Sequence, residues 1–286
     1  MGSESCQVLI FANGAIYGGR EMGRKLLIFT VLMMAFVMLV IPCIASAAVE
    51  KGLVLYFPFE EGAGDKALDA SENKNDGVIK GSPKWEASMD KFGKALQFDG
   101  TVVVTAPHIP FDNKSFTIMM WMNPVNDKRQ EFLTQNQSGA TNLSLHLRLG
   151  GPAGDSAPAN GIRFGFYSND LDSSVNVIKA NTWVHLTFWY NLENKGKPIR
   201  RLYINGELDV ADAGGPYQGT TGNTVLGEWT GVDPNWHYTG ILDEVRIYDY
   251  PVTEDLIKKV MASPSGMAVE PNGKLANTWG QLKSER

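Results

Sequence analysis

Short segments in which apolar residues alternate with polar ones, or follow one another without a break, recur along most of the chain. They lie at 53–59, 95–98, 102–105, 116–122, 143–149, 162–167 and 183–190. Glycine, proline, asparagine and aspartate cluster between them, as in Asn75-Asp76-Gly77. Short strands separated by such turn residues are typical of antiparallel sandwiches and jelly rolls. The pattern therefore predicts an all-β fold, a β-sandwich of two antiparallel sheets.

The clearest local predictions are one hairpin and one helix. Asn205-Gly206 lies between two apolar runs, and these residue types readily adopt the positive φ angles of a tight hairpin turn. The segment 254–261 has helical spacing, with Thr253 placed to cap its first turn and acidic residues in that turn, where the helix dipole favours them. The sequence thus predicts a single short helix near the C-terminus.

Residues 1–47 form a segment of different character. A basic stretch at 22–25 precedes an apolar run at 26–44, which ends at Ala45-Ser46-Ala47. This order is typical of a secretory signal peptide cleaved after Ala47, and residues 1–21 precede a plausible start at Met22. The apolar run also has about the length, roughly 20 residues, that spans a bilayer, so an uncleaved membrane anchor is the alternative. In both cases we expect export, to the periplasm or the extracellular space.

Composition narrows the possibilities for the exported part. Both cysteines, Cys6 and Cys43, lie in the predicted signal segment, so the mature domain must be stable without disulfides. The formal net charge is −5, which provides no basic surface for nucleic acid. Residues 48–262 suffice for one domain with a single core, and the polar residues 263–286 are predicted to form a loose tail.

Six motifs follow one another in an order that resembles laminin G-like domains of the concanavalin A-like lectin/glucanase superfamily. They lie at 52–62, 69–77, 92–100, 116–124, 183–186 and 240–249. The resemblance covers about residues 49–262. It implies a two-sheet jelly roll with a concave face that often binds glycans, and frequently a structural calcium. The fold by itself assigns no function, because it carries lectins, adhesive modules and glycosidases.

The adjacent carboxylates Asp243 and Glu244 raise the question of catalysis. Glycosidases of the superfamily carry E-x-D-x-x-E on one strand, with both carboxylates on the same face. No such motif occurs here in an extended apolar context, and on a regular strand Asp243 and Glu244 would point to opposite faces. We therefore do not expect an enzyme. A divergent glycosidase with carboxylates from separate strands, such as Asp170 and Glu228, is kept as an alternative.

The resemblance also implies a calcium site. In related domains the first carboxylate of the D-E-V motif, here Asp243, commonly helps to bind calcium. Calcium takes about six to eight oxygen ligands, and Glu60 and a carbonyl near Gly77 could supply others. The alternative is that Asp243 pairs with an arginine or caps a loop. Glu244 is expected to be solvated or to pair with neighbours of Arg246.

Three of the predicted strands place polar and aromatic side chains opposite their apolar set. If these strands are neighbours in one sheet, those side chains line a concave surface. Sugar recognition requires this mixture, with flat aromatic faces for C–H groups and polar groups for hydroxyls. Otherwise, outward histidines and arginines are simply solvated. The ligand-binding residues predicted for this surface are His146, Arg148, Tyr167, Asn169, Asp170, His185 and Trp189.

A second candidate surface is the loop 227–240, which contains Trp229 and Trp236. Tryptophan on a loop often contacts a ligand, so Trp236 and His237 complete the predicted ligand-binding residues. Tyr238 is instead expected to fill the core, as the matching aromatic does in related domains, and the alternative for one of the two tryptophans is the same role.

The sequence therefore predicts a secreted, non-catalytic carbohydrate-binding module with one structural calcium. Its partner would be a polysaccharide or glycoconjugate, and it would contact a membrane only if the signal segment is uncleaved. The main alternative is an adhesive module of the same fold that binds a cell-surface protein and has no glycan pocket.

Overall fold

The apolar and alternating segments form antiparallel strands in the computed structural model, which describes residues 50–89, 92–126, 128–135, 140–151, 156–193, 197–219, 221–229 and 234–263. These residues belong to the compact unit Ala47–Arg286. The predicted signal segment and residues 264–286 of the predicted tail lie outside the described residues.

The strands of the described residues form two sheets, and eight of them belong to the first sheet, which we call sheet I. Their order is 14-13-12-7-16-5-4, and β1 pairs with the second half of β16, beyond the part that pairs with β5. The strands are β1 (Leu53–Phe57), β4 (Lys84–Ala87), β5 (Lys94–Asp99), β7 (Phe116–Pro124), β12 (Val184–Asn191), β13 (Ile199–Ile204), β14 (Glu207–Asp212) and β16 (Thr239–Tyr248).

Eight further strands form the second sheet, sheet II, in the order 11-10-9-8-15-6-3-2. They are β2 (Lys66–Ala67), β3 (Gly77–Lys80), β6 (Val103–Ala106), β8 (Gln130–Gln135), β9 (Leu145–Leu149), β10 (Ile162–Gly165), β11 (Asp170–Asp172) and β15 (Thr224–Leu226). The predicted all-β fold with two antiparallel sheets is confirmed.

The apolar faces of the two sheets pack against each other and form the core. Phe188 of sheet I contacts both Phe164 and Phe132 of sheet II, with ring centroids 5.4 and 6.0 Å apart. Tyr238 is fully buried and packs against Phe132, as expected. Because successive side chains of a strand point to opposite faces, this packing turns the alternate residues of each strand outward.

The predicted hairpin and helix are both present. Asn205 and Gly206 connect β13 to β14 with φ angles of 51° and 79°. Helix α1 spans Glu254–Ala262, and the Thr253 side chain accepts a hydrogen bond from the Leu256 amide. Its apolar side packs on the outer face of sheet I. In the described ranges, no helix combines the length and the apolar character needed to cross a bilayer.

The assumption that the predicted strands carrying His146, Tyr167 and His185 are neighbours in one sheet is wrong. Strands β9 and β10 are neighbours in sheet II, whereas β12 lies in sheet I between β7 and β13. His185 and Trp189 therefore do not share a surface with His146 and Arg148. Trp189 lies under α1 and donates a hydrogen bond to the Val252 carbonyl at 2.9 Å.

His185 is almost fully buried beside Trp121. Burial, with a smaller contribution from the charge of Arg246, lowers the pKa of His185 to about 3, so the ring is neutral. Neither His185 nor Trp189 is placed to line a concave glycan surface.

Candidate functional site

The outer face of sheet II carries a cluster of charged and aromatic side chains, which we call the polar face. Two rows run across its strands. One row joins Glu131, Arg148, Arg163 and Asp172, and the next joins Thr134, His146, Gly165 and Asp170. The polar face consists of Glu131, His146, Arg148, Arg163, Tyr167, Asp170, Asp172 and Trp229.

His146 crosses the neighbouring strand to reach Asp170. The His146 Nε2 atom lies 3.3 Å from Asp170 Oδ1. The ring passes directly over Gly165, where a Cβ atom would overlap it. Glycine at position 165 is therefore the residue that permits this contact.

Arg163 holds two carboxylates at once. Its Nη1 atom lies 3.1 Å from Asp170 Oδ2, while Nε and Nη2 donate to the two oxygens of Asp172 at 2.7 and 2.8 Å. Burial alone would raise the pKa of Asp170, but His146 and Arg163 hold it below its ordinary value. Asp170 is therefore a fixed carboxylate acceptor, and its two cationic or polar neighbours set its orientation.

Glu131 lies beneath this network and is fully buried. Burial raises the pKa of Glu131 above its ordinary value, against the opposing influence of His146, Arg148 and Arg129. Within the described part of the chain neither carboxylate oxygen accepts a hydrogen bond, and Arg129 Nη2 lies 3.5 Å away. Buried ionisable groups with perturbed pKa values and unused hydrogen-bonding capacity are common at functional sites.

Two aromatic rings complete the polar face. Trp229 lies against His146, with centroids 4.8 Å apart, and is almost fully buried. Tyr167 lies 6.2 Å from Trp229 and is half-buried. β10 ends at Gly165, so Tyr167 belongs to the turn before β11 rather than to a strand. Tyr167 and Ser168 have φ angles of 62° and 54°, a conformation that non-glycine residues adopt mainly where the surroundings enforce it.

The remaining predicted ligand-binding residues lie at the margin. Trp236 is half-buried under the Arg129 guanidinium, whose carbon is 3.5 Å from the ring centroid. His237 contacts the Gly100 carbonyl at 3.0 Å and Glu228 at 3.7 Å. At the other end, Asn169 donates from its side chain to Asn142.

Sequence reasoning identified His146, Arg148, Tyr167 and Asp170 but did not select the other four members of the polar face, which are Arg163, Asp172, Trp229 and Glu131. Arg163 follows from the alternation in β10, which directs it outward with its neighbours. Trp229 lies in the tryptophan-containing loop. Glu131 had no clear signal, because a register shift between Glu131 and Leu133 interrupts the alternation of β8.

The D-E-V motif on sheet I departs from a regular strand. Glu244 has a φ of 53°, and the pairing of β16 with β7 shifts register between Asp243 and Arg246. This bulge brings both carboxylates to the outer face, which corrects the expectation that they point to opposite faces. Glu244 is buried rather than solvated: its oxygens accept from Tyr56 at 2.8 Å and contact Arg246 at 2.8 Å.

Asp243 is also buried, and the Ser88 hydroxyl donates to its Oδ2 atom. Burial, with repulsion from Glu244 and Glu60, raises the pKa of Asp243 to about 8. Glu60 accepts from the Lys94 amide at 3.2 Å. Gly77 lies in sheet II among core side chains such as Val104 and Phe57.

The Glu60 charge thus acts on the pKa of Asp243, the first of the three predicted calcium ligands, whereas the third, Gly77, lies in the other sheet. No group of three or more histidine, cysteine, aspartate or glutamate side chains suited to a metal occurs among the residues with described positions.

Solved structures with a similar fold include both sugar-bound and receptor-bound proteins. One is domain 4 of AbnA, a GH43 extracellular arabinanase from Geobacillus stearothermophilus, in complex with arabinotriose, at 20% identity and a TM-score of 0.57 over 74% of this chain and 98% of that chain. The binding domain of Paraclostridial Mosquitocidal Protein 1 is 18% identical, with a TM-score of 0.54 over 73% of this chain and 52% of that chain.

The binding domain of botulinum neurotoxin DC, in complex with rat synaptotagmin II, is 13% identical, with a TM-score of 0.54 over 76% of this chain and 52% of that chain. The chain therefore spans about half of each toxin binding domain. At these identities the likeness concerns the fold alone. Among proteins of curated function, no sequence matches significantly.

A family model described as the concanavalin A-like lectin/glucanases superfamily matches residues 98–258. This stretch covers more than half of the chain and most of both sheets. Together with the two-sheet architecture, it shows that the chain belongs to the concanavalin A-like lectin/glucanase superfamily, as a laminin G-like domain.

Proposed function

We propose that this protein is an exported, non-catalytic carbohydrate-binding module whose ligand lies on the polar face. The observation that carries the proposal is the convergence of half-buried Tyr167, Arg163 and Asp170 above the buried Glu131 and His146. These accessible groups are held in place by side chains that cannot move easily, so the binding surface is pre-organised.

The chemistry of the polar face suits a hydroxyl-rich ligand. Each sugar hydroxyl both donates and accepts, and here carboxylate acceptors and guanidinium donors alternate within one fixed network. Because arginines and carboxylates are paired, the face has no strong excess of either charge, which favours a neutral glycan. Tyr167 supplies a ring for the C–H side of a sugar. The arabinotriose complex of a similar fold is consistent with this assignment.

Two features support a non-catalytic role. Glycoside cleavage needs two carboxyl groups that flank one bond, about 5–9 Å apart. Here Asp170 is held by His146 and Arg163, and Glu131 is fully buried. Glu228, the other carboxylate considered, lies beside His237 at the margin.

A glycan array followed by calorimetry tests the proposal. The purified protein should bind selected glycans, and Tyr167→Ala should abolish or strongly weaken this binding by removing the accessible ring. Tyr250→Ala is the matched control, because Tyr250 is a half-buried tyrosine at sheet I. The proposal would be contradicted if the folded wild-type protein bound no glycan, or if the Tyr167→Ala variant bound glycan as well as the wild type does.

The second candidate function is an adhesive module that recognises a cell-surface protein. Its support is the half-buried Trp236 beside Arg129, two residue types enriched at protein interfaces. A blank glycan array together with cell-surface binding that is lost in Trp236→Ala would favour this function.

We also propose a structural calcium held by Asp243 and Glu60, with the Ser88 hydroxyl beside it. Carboxylate and hydroxyl oxygens are suitable ligands for calcium. When bound, the ion would neutralise the buried Asp243 carboxylate and link β16 to the segments at Glu60 and Ser88. This proposal does not include Gly77.

Thermal unfolding with added calcium or with a chelator tests the site. Calcium should raise the Tm of the wild type and of Asp249→Asn, an exposed control, but not that of Asp243→Asn. Equal Tm values for the wild type with and without calcium would rule the site out.

A further inference from the structure

A cleft of about 370 Å³ opens at one end of the sandwich and shares no lining residue with the polar face. Its volume falls within the range of small-molecule sites, about 300–1,000 Å³. Its walls come from the turn between β2 and β3, the segment between β6 and β7, the first strand and the end of β16. Its polar lining includes Asn73, Asn75, His108, Lys114 and Asp249.

The turn that carries Asn73 and Asn75 is fixed from inside by Asp69. The Asp69 carboxylate is almost fully buried and accepts hydrogen bonds from the amides of Tyr56, Ser71 and Asn75 and from the Ser71 hydroxyl, at 2.7–2.8 Å. A carboxylate with several donors is a strong anchor. This wall of the cleft is therefore rigid before any ligand arrives.

The side chains of Asn73 and Asn75 line the cleft, and each donates from its nitrogen to the backbone. The amide nitrogen of Asn73 donates to the Leu53 carbonyl at 3.1 Å, and that of Asn75 donates to the Val54 carbonyl at 2.9 Å. These bonds determine which end of each amide is used by the protein. The side-chain oxygens of Asn73 and Asn75 are left to accept hydrogen bonds from a ligand.

His108 adds a third acceptor. Its Nδ1 atom lies 2.8 Å from the Gly222 carbonyl. A carbonyl oxygen can only accept, so Nδ1 carries the hydrogen and Nε2 of the neutral ring carries a lone pair. Fixing one ring nitrogen in this way sets the hydrogen-bonding role of the other.

The floor of the cleft is apolar, and its mouth has balanced charge. Ile109 and Phe111 line the floor and are almost fully buried. Lys114 and Asp249, of opposite sign, are exposed at the mouth. The balance disfavours a strongly charged ligand, and the acceptors require one that brings its own donors.

We propose that this cleft binds a single neutral sugar unit. Its hydroxyls donate to Asn73, Asn75 and His108, while its C–H groups rest on Ile109 and Phe111. The site is separate from the polar face, and the proposal does not depend on the function proposed for that face.

Amide-detected NMR titration of the full chain tests the cleft. The probes are arabinose, xylose, glucose, galactose and mannose, added singly, and the signals followed are the side-chain amides of Asn73 and Asn75. At least one sugar should shift them. Asn73→Ala and His108→Ala should each weaken that binding about two- to tenfold, as expected for one lost hydrogen bond.

Two further variants control the titration. Glu72→Gln changes an exposed neighbour on the same turn that does not line the cleft, so it should leave the affinity unchanged. Tyr167→Ala should also leave the cleft shifts unchanged, which separates this site from the polar face.

Two results would overturn the proposal. In the first, none of the five sugars shifts the Asn73 or Asn75 amides. In the second, the shifts persist at unchanged affinity in Asn73→Ala. Asn73 is exposed, so this substitution decides the matter even if His108→Ala disturbs folding.

Discussion

At the scale of single residues, Glu131 is the clearest departure from a structure optimised for stability alone. The carboxyl group is fully buried, and the Arg129 guanidinium lies 3.5 Å from it. A buried carboxylate without hydrogen bonds destabilises the folded state, because it has lost its hydration without replacement. Natural proteins accept such a loss where a site needs a particular charge, and Glu131 lies directly beneath the proposed binding surface.

Replacing Glu131 with glutamine should therefore stabilise the protein at neutral pH. Burial raises the pKa of Glu131 in the folded state, so the folded protein holds this proton more tightly than the unfolded chain does. The Glu131 charge therefore destabilises the protein fully at pH values above the pKa of the folded state. This effect disappears as the pH falls below the pKa of the unfolded chain. We expect Glu131→Gln to gain about 1–3 kcal/mol at pH 7, with a smaller gain near pH 4, by urea unfolding.

Glu86→Gln is the matched control, because Glu86 is an exposed residue of β4. Equal free energies of unfolding for the wild type and Glu131→Gln at both pH values would show that the Glu131 carboxylate has hydrogen-bond partners in solution. Reduced glycan affinity in the more stable variant would link the buried charge to binding.

At the scale of strands and helices, the sequence predicted the side of a strand on which each side chain lies better than it predicted which strands are neighbours in a sheet. The alternation in β9 correctly directs His146 and Arg148 away from the core, because that pattern depends on one strand alone. Strand order depends on pairing between distant segments, and nothing local distinguishes β12 in sheet I from a neighbour of β10. The bulge at Glu244 could not be predicted either, because a positive φ at glutamate has no sequence signature of the kind that Asn205-Gly206 provides.

Helix α1 was predictable because its start signal is local, and the same signal predicts a stability effect. Thr253→Ala removes the side chain that accepts from the Leu256 amide at 3.3 Å. We expect a loss of about 1 kcal/mol in the free energy of unfolding, measured by urea denaturation. Thr182→Ala, at an exposed threonine outside the helix, should change it by less than about 0.5 kcal/mol. A similar loss in both variants would argue against capping by Thr253.

At the scale of the whole molecule, the two outer faces of the sandwich differ in kind. The outer face of sheet I is closed by α1, which packs on Trp189, Met119 and Tyr203. The outer face of sheet II keeps half-buried polar and aromatic groups, including Tyr167 and Arg163. The same fold thus has one face that contributes mainly to stability and one that is available for recognition.

This division predicts opposite effects for two aromatic substitutions. Trp189→Ala should lower the free energy of unfolding by about 3–5 kcal/mol, because it empties the space under α1 and removes the hydrogen bond to Val252. The glycan affinity of the folded protein should stay unchanged. Tyr167→Ala should instead reduce affinity strongly and change stability by less than about 1 kcal/mol, since Tyr167 is only half-buried.

Urea unfolding and calorimetry on the same preparations measure both quantities. If Trp189→Ala leaves too little folded protein, Trp189→Phe keeps a ring beneath α1 while losing the indole hydrogen bond, and should cost about 1 kcal/mol. A loss of glycan affinity in folded Trp189→Phe, with full affinity in Tyr167→Ala, would place recognition on sheet I. Separate losses of stability and affinity would show that the helix-covered face and the polar face act independently.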